Sequence, residues 1–310
     1  PVAASVATAG GQTFGYDSLV VSPGIDFRWD AIEGYDRAAA KLMPHAWRAG
    51  DQLLLLKQQV EAMPAGGVVV IAPPVQPFRA PPAPYERASM LAYYLKDANP
   101  TAKILIVDSR PEIEEHAQLQ QAWDELYPGM IEWISGDGQL RGVDVAGMTV
   151  VSASGARHTG NVVNVIPPQQ AGAIAFSSDL VDGSGWCPVD PRSFESIRQV
   201  GVHVIGDACI AGEMPKAASA ANTQAKACAA AIVAKISGEP APDPFLMSVF
   251  YGLLGRKSAI SNVGVYRVID GEIRKVSGGV TAADASSKTR RKEMKYAGGW
   301  FKAITTEAFG

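Results

Sequence analysis

The chain of 310 residues is long enough for two domains, and its 47% hydrophobic and 19% charged residues place it among ordinary globular proteins. A formal net charge of −3 excludes a broad basic surface for nucleic acid. No apolar run approaches the roughly 18 residues that a membrane-spanning helix needs. The cysteines and histidines are scattered without the spacing of metal ligands, so we predict no metal site.

Strands and helices alternate along the first half of the chain, as its apolar periodicity and turn residues indicate. The predicted elements are, in order, two short strands within residues 12–25, a helix over 38–63 broken near Pro44, a strand at 68–72, a helix at 84–96 and a strand at 103–108. Within the first helix, Leu53 to Leu56 are predicted to face the core. The last three elements form one β-loop-α-β unit.

The second half continues this alternation and ends in a smaller module. The predicted elements are a helix at 111–128, short strands over 130–166, a strand at 201–210, an alanine-rich helix at 218–236, a proline-punctuated linker at 237–245 and a hairpin at 264–276 that turns on Asp270-Gly271. We expect residues 281–310 to form a tail that packs on another part of the molecule. This order predicts an α/β architecture with a parallel sheet and a small appended module.

The strongest local signal is VHVIGDACI followed by the alanine-rich helix. Gly206 ends a buried strand, where the missing side chain permits a ligand to approach the backbone. Asp207 can accept hydrogen bonds from sugar-like hydroxyls, and the next helix offers unpaired N–H groups at its N-terminus. This arrangement suits a flavin, although a simple turn with a helix-capping aspartate fits the spacing equally well. Pro23-Gly24, after an earlier strand, indicates only a turn when taken alone.

The loop APPVQP follows strand 68–72, where a nicotinamide-binding unit would have Gly-x-Gly-x-x-Gly. It contains no glycine, and three of its six residues are prolines, which have no N–H to offer a pyrophosphate. We therefore predict that this unit keeps the skeleton of a nicotinamide domain without binding NADH or NADPH. Asp108, at the end of the next strand, is interpreted as an ordinary strand-terminal acid and not as a ribose ligand.

Together and in this order, these elements resemble the flavoprotein subunit of flavocytochrome c sulfide dehydrogenase. The motifs include IEGYDRAAAKLMPHAWRAG, PPAPYERASMLAYYLK, NVIPPQQAG, GWCPVD, VHVIGDACIAGEMPK and SGGVTAADA. The resemblance implies an α/β, disulfide-reductase-like flavoprotein with two dinucleotide-type domains, of which the FAD domain is incomplete and the nicotinamide-type domain degenerate. Its implied domains are the rest of the FAD-binding domain (1–50 and 160–238), a pseudo-nicotinamide domain (51–159) and a small α+β interface domain (239–310).

The resemblance also implies a function. Family members oxidise sulfide at FAD and pass the electrons to a c-type cytochrome subunit in the periplasm. The implied cofactor contacts are Pro23, Gly24, Gly206, Asp207 and Lys216. In the family, the FAD fingerprint and the cysteine that tethers the flavin lie in an N-terminal region that this chain lacks, so we expect a fragment that begins inside the FAD domain.

The family's redox-active disulfide is missing. The resemblance places one of its cysteines in the loop PFRxPP, where Ala80 stands, and the other near FLMSVFYG, where Val249 is the best match. None of Cys187, Cys209 and Cys228 occupies either position, and Cys187 is interpreted as structural. We therefore expect slow or altered sulfide chemistry, with a catalytically silent flavin- or cytochrome-binding paralogue as the alternative. A nicotinamide-dependent disulfide reductase is a third possibility, which the proline loop argues against.

Glu86 is present in the motif PYERAS, in the first turn of a predicted helix. A carboxylate in this position ordinarily complements the helix dipole. The resemblance instead places Glu86 near the sulfide side of the flavin, where it could relay a proton. Both interpretations stay open at the level of the sequence.

Overall fold

The computed structural model describes residues 4–136 and 138–310. The strands are β1 (Ser5–Ala7), β2 (Thr13–Gly15), β3 (Leu19–Val21), β4 (Ile25–Phe27), β5 (Val68–Ala72), β6 (Lys103–Val107), β7 (Ile131–Ile134), β8 (Leu140–Asp144), β9 (Thr149–Ser152), β10 (Arg157–Thr159), β11 (Val162–Val165), β12 (Gln169–Ala171), β13 (Cys187–Pro188), β14 (Val202–Val204), β15 (Cys209–Ile210), β16 (Leu246–Gly255), β17 (Ser258–Ile269) and β18 (Glu272–Val280). The α-helices are α1 (Asp51–Glu61), α2 (Ala83–Ala98), α3 (His116–Leu126), α4 (Ala173–Ser177), α5 (Ala218–Ser237) and α6 (Ser287–Phe309), and 3-10 turns lie at Ala39–Lys41 and Gly206–Ala208.

The predicted helix at 38–63 differs most from the structure. Only Asp51–Glu61 is α-helical, and the segment before it contains the 3-10 turn at Ala39–Lys41. Leu53 and Leu54 are exposed, at 44% and 58%, whereas Leu56 is buried, so the prediction that Leu53 to Leu56 all face the core is wrong. Four consecutive residues cover the whole circumference of a helix with 3.6 residues per turn, and they cannot share one face.

The chain divides into two compact units. Unit 1 consists of the described residues of Pro1–Asp26, Gln170–Val249 and Gly264–Gly278. Unit 2 consists of the described residues of Phe27–Gln169, Phe250–Val263 and Gly279–Gly310.

The centre of unit 2 is a parallel sheet with the strand order β11-β5-β6-β7. Its two central strands, β5 and β6, are almost continuous apolar runs because both faces of the sheet are covered. Along β5, Val69 and Ile71 pack into a cluster that also contains buried residues of α1, α2 and α3. Val70 and Ala72, which point to the opposite face, pack into a second cluster. The predicted β-loop-α-β unit is thus β5, α2 and β6.

Unit 1 contains two pairs of parallel strands that matter for the site. β14 pairs with β3, in a register that sets Val202 opposite Leu19 and Val204 opposite Val21. β13 pairs with β15. The predicted strand at 201–210 is therefore interrupted, because Gly206 adopts a φ of +76° and the chain turns between Val204 and Cys209.

The C-terminal part contains a three-stranded sheet with the order β16-β17-β18. β17 and β18 form the predicted hairpin, and its turn residues Asp270 and Gly271 have φ values of +50° and +77°. The predicted tail is the long helix α6, whose N-cap Ser286 accepts a hydrogen bond from the Thr289 N–H. Among the residues that the structure describes, no helix has the length and apolar character needed to cross a membrane.

Candidate functional site

Two of the loops singled out in the sequence leave the same edge of a small parallel sheet in unit 1. β3 and β14 run side by side, and the Ile205 N–H continues their pairing by donating to the Val21 carbonyl at 3.2 Å. The loops at 23–24 and 206–207 therefore both follow carboxyl ends of neighbouring parallel strands. Ligands of open α/β sheets bind at such edges. The structure brings these four predicted cofactor residues to one edge of unit 1.

The backbone of both loops has room for a close ligand. Gly24 and Gly206 adopt left-handed conformations, with φ values of +65° and +76°, which favour glycine. A Cβ built on Gly24 would meet no described atom within 4 Å, and one on Gly206 would lie 3.7 Å from the Cβ of Ala221. Gly172, which the sequence did not single out, packs against the first loop, where a Cβ would lie 2.5 Å from the Pro23 carbonyl oxygen.

Gln224, in the second turn of α5, fixes the turn at Gly206. Its Oε1 accepts hydrogen bonds from the Gly206 N–H at 2.8 Å and from the Cys209 thiol at 3.5 Å. The side chain is buried, at 2% exposure. Sequence analysis missed this residue, which is one of two amide side chains, with Asn222, in the alanine-rich helix α5.

Lys216 is bound to the backbone of the same turn. Its ammonium group donates to the Asp207 carbonyl at 2.8 Å and to the Cys209 carbonyl at 3.0 Å, and it lies 3.8 Å from the centroid of the Trp186 ring. Burial lowers the pKa of Lys216, while Cys209 and Asp207 act in the opposite direction. The contacts of Lys216 therefore hold residues 207–209 in position.

The three cysteines are free, buried thiols. In the register of the neighbouring strands β13 and β15, Cys187 lies opposite Cys209, without a disulfide between them. Burial raises the pKa of Cys187 to about 11, of Cys209 to about 12 and of Cys228 to about 11. Because the thiolate is the reactive form of cysteine, these groups are poor nucleophiles at neutral pH. This environment supports the interpretation of Cys187 as structural.

Val249 lies in β16, and its backbone is anchored to α5. Its N–H donates to the Ser219 hydroxyl oxygen at 2.9 Å, and that hydroxyl donates to the Val249 carbonyl at 2.9 Å. One helical turn later, the Thr223 hydroxyl makes the same pair of contacts with Met247, at 3.3 and 3.1 Å. Hydroxyls at positions i and i+4 of a helix thus complete the hydrogen bonding of alternate strand residues.

Ala80 belongs to unit 2 and has an uncommon backbone conformation. Its φ is +53°, a region that costs a residue with a Cβ about 1 kcal/mol. The surrounding loop is held by Phe78, which is 1% exposed, and by the Arg79 N–H, which donates to the Gln169 side chain at 2.9 Å. The Ala80 carbonyl accepts from the Ala83 N–H at the start of α2. The loop therefore keeps a defined shape without a cysteine.

Glu86 lies in the first turn of α2 and is partly buried within unit 2. Its Oε1 accepts a hydrogen bond from the Leu253 N–H of β16 at 3.1 Å. Burial raises the pKa of Glu86 to about 7, against the opposing effects of that N–H and of Arg87. The carboxyl group can therefore gain or lose a proton near neutral pH.

The carboxyl ends of β5 and β6 are filled by side chains of unit 2. Asp108 is fully buried and accepts hydrogen bonds from the Tyr85 hydroxyl and, at 3.0 Å, from the Arg110 N–H. The Arg110 guanidinium lies 3.4 Å from the Asp108 carboxylate and 5.1 Å from the ring centroids of both Phe78 and Tyr85. A dinucleotide would need this space and the free carboxylate. The contacts agree with the interpretation of Asp108 as a structural acid.

Two family models match the sequence. Residues 53–167 match the central part of the sulfide dehydrogenase (flavocytochrome c) flavoprotein chain, and residues 242–309 match the flavin-binding part of flavocytochrome c sulfide dehydrogenase. The chain belongs to this flavoprotein family. FAD is its cofactor, and the open glycine turns of unit 1 fit a ligand of that kind.

The chain shares its fold with several solved structures. It is similar to a chain of the mitochondrial ATP synthase of Tetrahymena thermophila, with 16% identity, a TM-score of 0.62 and coverage of 84% of this chain and 66% of that one. It matches the ferredoxin reductase of the CYP199A2 system from Rhodopseudomonas palustris, with 17% identity, a TM-score of 0.58 and coverage of 84% and 61%. It also matches LpdA from Mycobacterium tuberculosis, with 17% identity, a TM-score of 0.52 and coverage of 84% and 51%.

These matches support the predicted fold class and show how much of each solved structure the chain covers. The disulfide-reductase-like α/β fold is confirmed, and the flavoprotein chain spans between about half and two thirds of the length of these three structures. In the described part of the chain, no group of His, Cys, Asp and Glu side chains is arranged to hold a metal ion. The proposed roles of individual residues stay predictions.

Proposed function

We propose that the chain is part of an FAD-dependent oxidoreductase that oxidises sulfide, or a related reduced sulfur donor, and passes the electrons to a c-type cytochrome subunit. The family match supports the reaction class. The observation that supports the cofactor site is the pair of glycine turns at neighbouring strand ends of unit 1. A periplasmic location, which the resemblance implies, belongs to the same proposal.

The residues of unit 1 would hold FAD through its polar chain. Asp207 would accept hydrogen bonds from ribityl hydroxyls, while Gly24 and Gly206 let the ligand approach the backbone. Gln224 and Lys216 keep the second turn in place through the contacts described above. When bound, FAD supplies an acceptor for the two electrons that the sulfur donor gives up.

Glu86 would hold and move a proton. Hydrosulfide that gives up two electrons also releases one proton, and a carboxylate with a pKa of about 7 can accept it at neutral pH. The same carboxylate also anchors the Leu253 N–H. A substitution that preserves this anchor but cannot titrate therefore separates the two roles.

Glu86→Gln is expected to remove one inflection near pH 7 from the rate of sulfide-dependent flavin reduction. Glutamine keeps an oxygen for the Leu253 N–H but cannot take up the proton. Rates would be measured anaerobically across about pH 5.5 to 8.5, and Glu132→Gln, which changes an exposed carboxylate of unit 2, is the control. Sulfide itself titrates in this range, so its inflection stays in both variants. A profile of Glu86→Gln identical to that of the unmodified protein would contradict the proton role.

NADH and NADPH are expected to leave the flavin oxidised. The proline loop lacks the N–H groups that a pyrophosphate needs, and the Asp108 carboxylate is already bound by the Tyr85 hydroxyl and the Arg110 guanidinium. The measurement is the visible spectrum of the full-length protein after anaerobic addition of each nucleotide, with dithionite as the positive control for reduction. Rapid bleaching by either nucleotide would show that this explanation is wrong.

The alternative proposal is a silent paralogue that binds flavin or cytochrome without turnover. It is favoured by Ala80 and Val249, because neither side chain can form the disulfide that the resemblance implies for active relatives. The deciding experiment uses the full-length protein with its cytochrome subunit and follows both chromophores after addition of sulfide. Bleaching of the flavin followed by reduction of the cytochrome supports the enzyme, whereas two unchanged spectra support the silent paralogue.

A further inference from the structure

A cationic cavity of about 470 Å³ lies in unit 2 at the N-terminal end of α6. Its wall includes the end of α3, the C-terminal half of α2 and the turn between β16 and β17. The charged side chains on its wall are Lys96, Arg256, Lys257, Arg290, Arg291 and Glu125. Five cations thus face one carboxylate, an imbalance that an anion would reduce.

Arg290 is the buried member of this group. The residue is 3% exposed, and its Nη2 donates to the Ala283 carbonyl at 3.1 Å. Its Nε and Nη1 have no hydrogen-bond partner among the described residues. The nearest carboxylate oxygen, Oε2 of Glu125, is 3.6 Å from Nη1, which is too long for a hydrogen bond. A buried guanidinium with two unsatisfied nitrogens is unfavourable unless a further acceptor reaches it.

Two other features of the cavity favour an anion. The Lys96 ammonium is held over the rings of Tyr93 and Tyr127, at 5.1 and 5.7 Å from their centroids. Ser287, which lines the cavity, is the first residue of α6, and the N-terminus of a long helix favours negative charge. These features surround the same space as Arg290.

We propose that this cavity binds a small multivalent oxyanion with the chemistry of phosphate or sulfate, either free or as the head of an organic phosphate ester. The planar fork of Arg290 matches the oxygens of such an anion. The Glu125 side chain is 54% exposed, and besides the long contact with Arg290 it accepts one hydrogen bond, from the Gln121 side chain at 3.0 Å, so it can turn away from the cavity when the anion enters. None of the residues that line the cavity is among those assigned to flavin chemistry, and the proposal does not depend on the proposed reaction.

The test is isothermal titration calorimetry of the full-length protein with sodium phosphate, sodium sulfate and glycerol 3-phosphate. Sodium chloride keeps the ionic strength constant, so general screening does not contribute. Saturable one-to-one binding of inorganic phosphate or sulfate supports a free anion as the ligand. Tighter binding of glycerol 3-phosphate supports the head of an ester. Absence of saturable binding for all three probes overturns the proposal.

Variants locate the binding in this cavity. Arg290→Gln is expected to weaken binding by roughly tenfold or more, since charge-assisted hydrogen bonds are lost. Arg290 is buried, so the exposed pair Lys257→Gln and Arg291→Gln provides a second test that leaves the core intact, and both are expected to weaken binding several-fold. Glu125→Gln is expected to tighten it, because the competing carboxylate is removed. Lys288→Gln removes a charge from the same helical turn outside the cavity wall and is the matched control. Equal effects of Lys288→Gln and the cavity variants would overturn the assignment.

Discussion

Asp207→Ala is expected to lower the flavin affinity of the full-length protein by roughly tenfold or more. A carboxylate that accepts hydrogen bonds from hydroxyl groups contributes about 1.5 to 3 kcal/mol, and each 1.4 kcal/mol changes a dissociation constant tenfold. The turn itself should survive the substitution, because Lys216 holds residue 207 through its main-chain carbonyl. The measurement is the flavin-to-protein ratio after purification, together with the visible circular dichroism of the flavin that remains.

Three further variants serve as comparisons for Asp207→Ala. Asp17→Ala removes an exposed carboxylate from unit 1 and should leave the flavin content unchanged. Lys216→Met and Gln224→Leu remove side chains that hold the turn, and both should lower flavin content without touching Asp207. Undiminished flavin content and an unchanged spectrum in Asp207→Ala would show that the loop at 206–207 is not the ribityl site.

The sequence predicted the elements whose signals are local. β5 and β6 are β-branched runs between turn residues, and a buried parallel strand needs nothing else to be recognised. The hairpin turn at Asp270-Gly271 is equally local, because both positions require a positive φ. The buried face of α1 was mispredicted, since its consecutive leucines indicate hydrophobicity but not which residues face the core.

The contacts that complete the candidate sites join distant parts of the sequence. Gln224 bonds Gly206 from 18 residues away, and Tyr85 bonds Asp108 from 23 residues away. Neither partner follows from periodicity or from a motif, since each depends on how helices pack on strands. The same holds for Arg290 and Glu125, whose long contact depends on the packing of α6 and α3 within unit 2. The glycine and aspartate residues were sufficient to predict which loops bind a ligand. They could not predict which distant side chains hold those loops in place.

Ala80 and Val249 illustrate a different limit. Their association comes from the resemblance to a family and from nothing in their own chemistry. The two residues belong to different units. Each position nevertheless has a defined backbone, through the left-handed conformation of Ala80 and the Ser219 contacts of Val249. The pairing of these positions is therefore best tested by chemistry.

The double variant Ala80→Cys with Val249→Cys is expected to raise sulfide-dependent cytochrome reduction by roughly tenfold to a hundredfold, or about 1.4 to 2.7 kcal/mol of activation free energy. A disulfide offers hydrosulfide an electrophilic sulfur, and the thiolate released can pass electrons to the flavin. Cysteine at position 80 keeps the conformational cost that alanine already has, and cysteine at 249 removes little volume from a partly buried site.

Thiol titration decides first whether the two new cysteines pair, which requires Cα atoms within roughly 4.4 to 6.8 Å. Mild oxidation should remove two reactive thiols from the double variant, and a reductant should restore them, while each single variant keeps one thiol and gains no activity. Cys187, Cys209 and Cys228 are buried and present in every variant, so they cancel in the comparison. Absence of pairing would show that Val249 is the wrong second position. Pairing without a gain in rate, or an unmodified protein already as fast as relatives with both cysteines, would show that the disulfide is dispensable for sulfide oxidation in this family member.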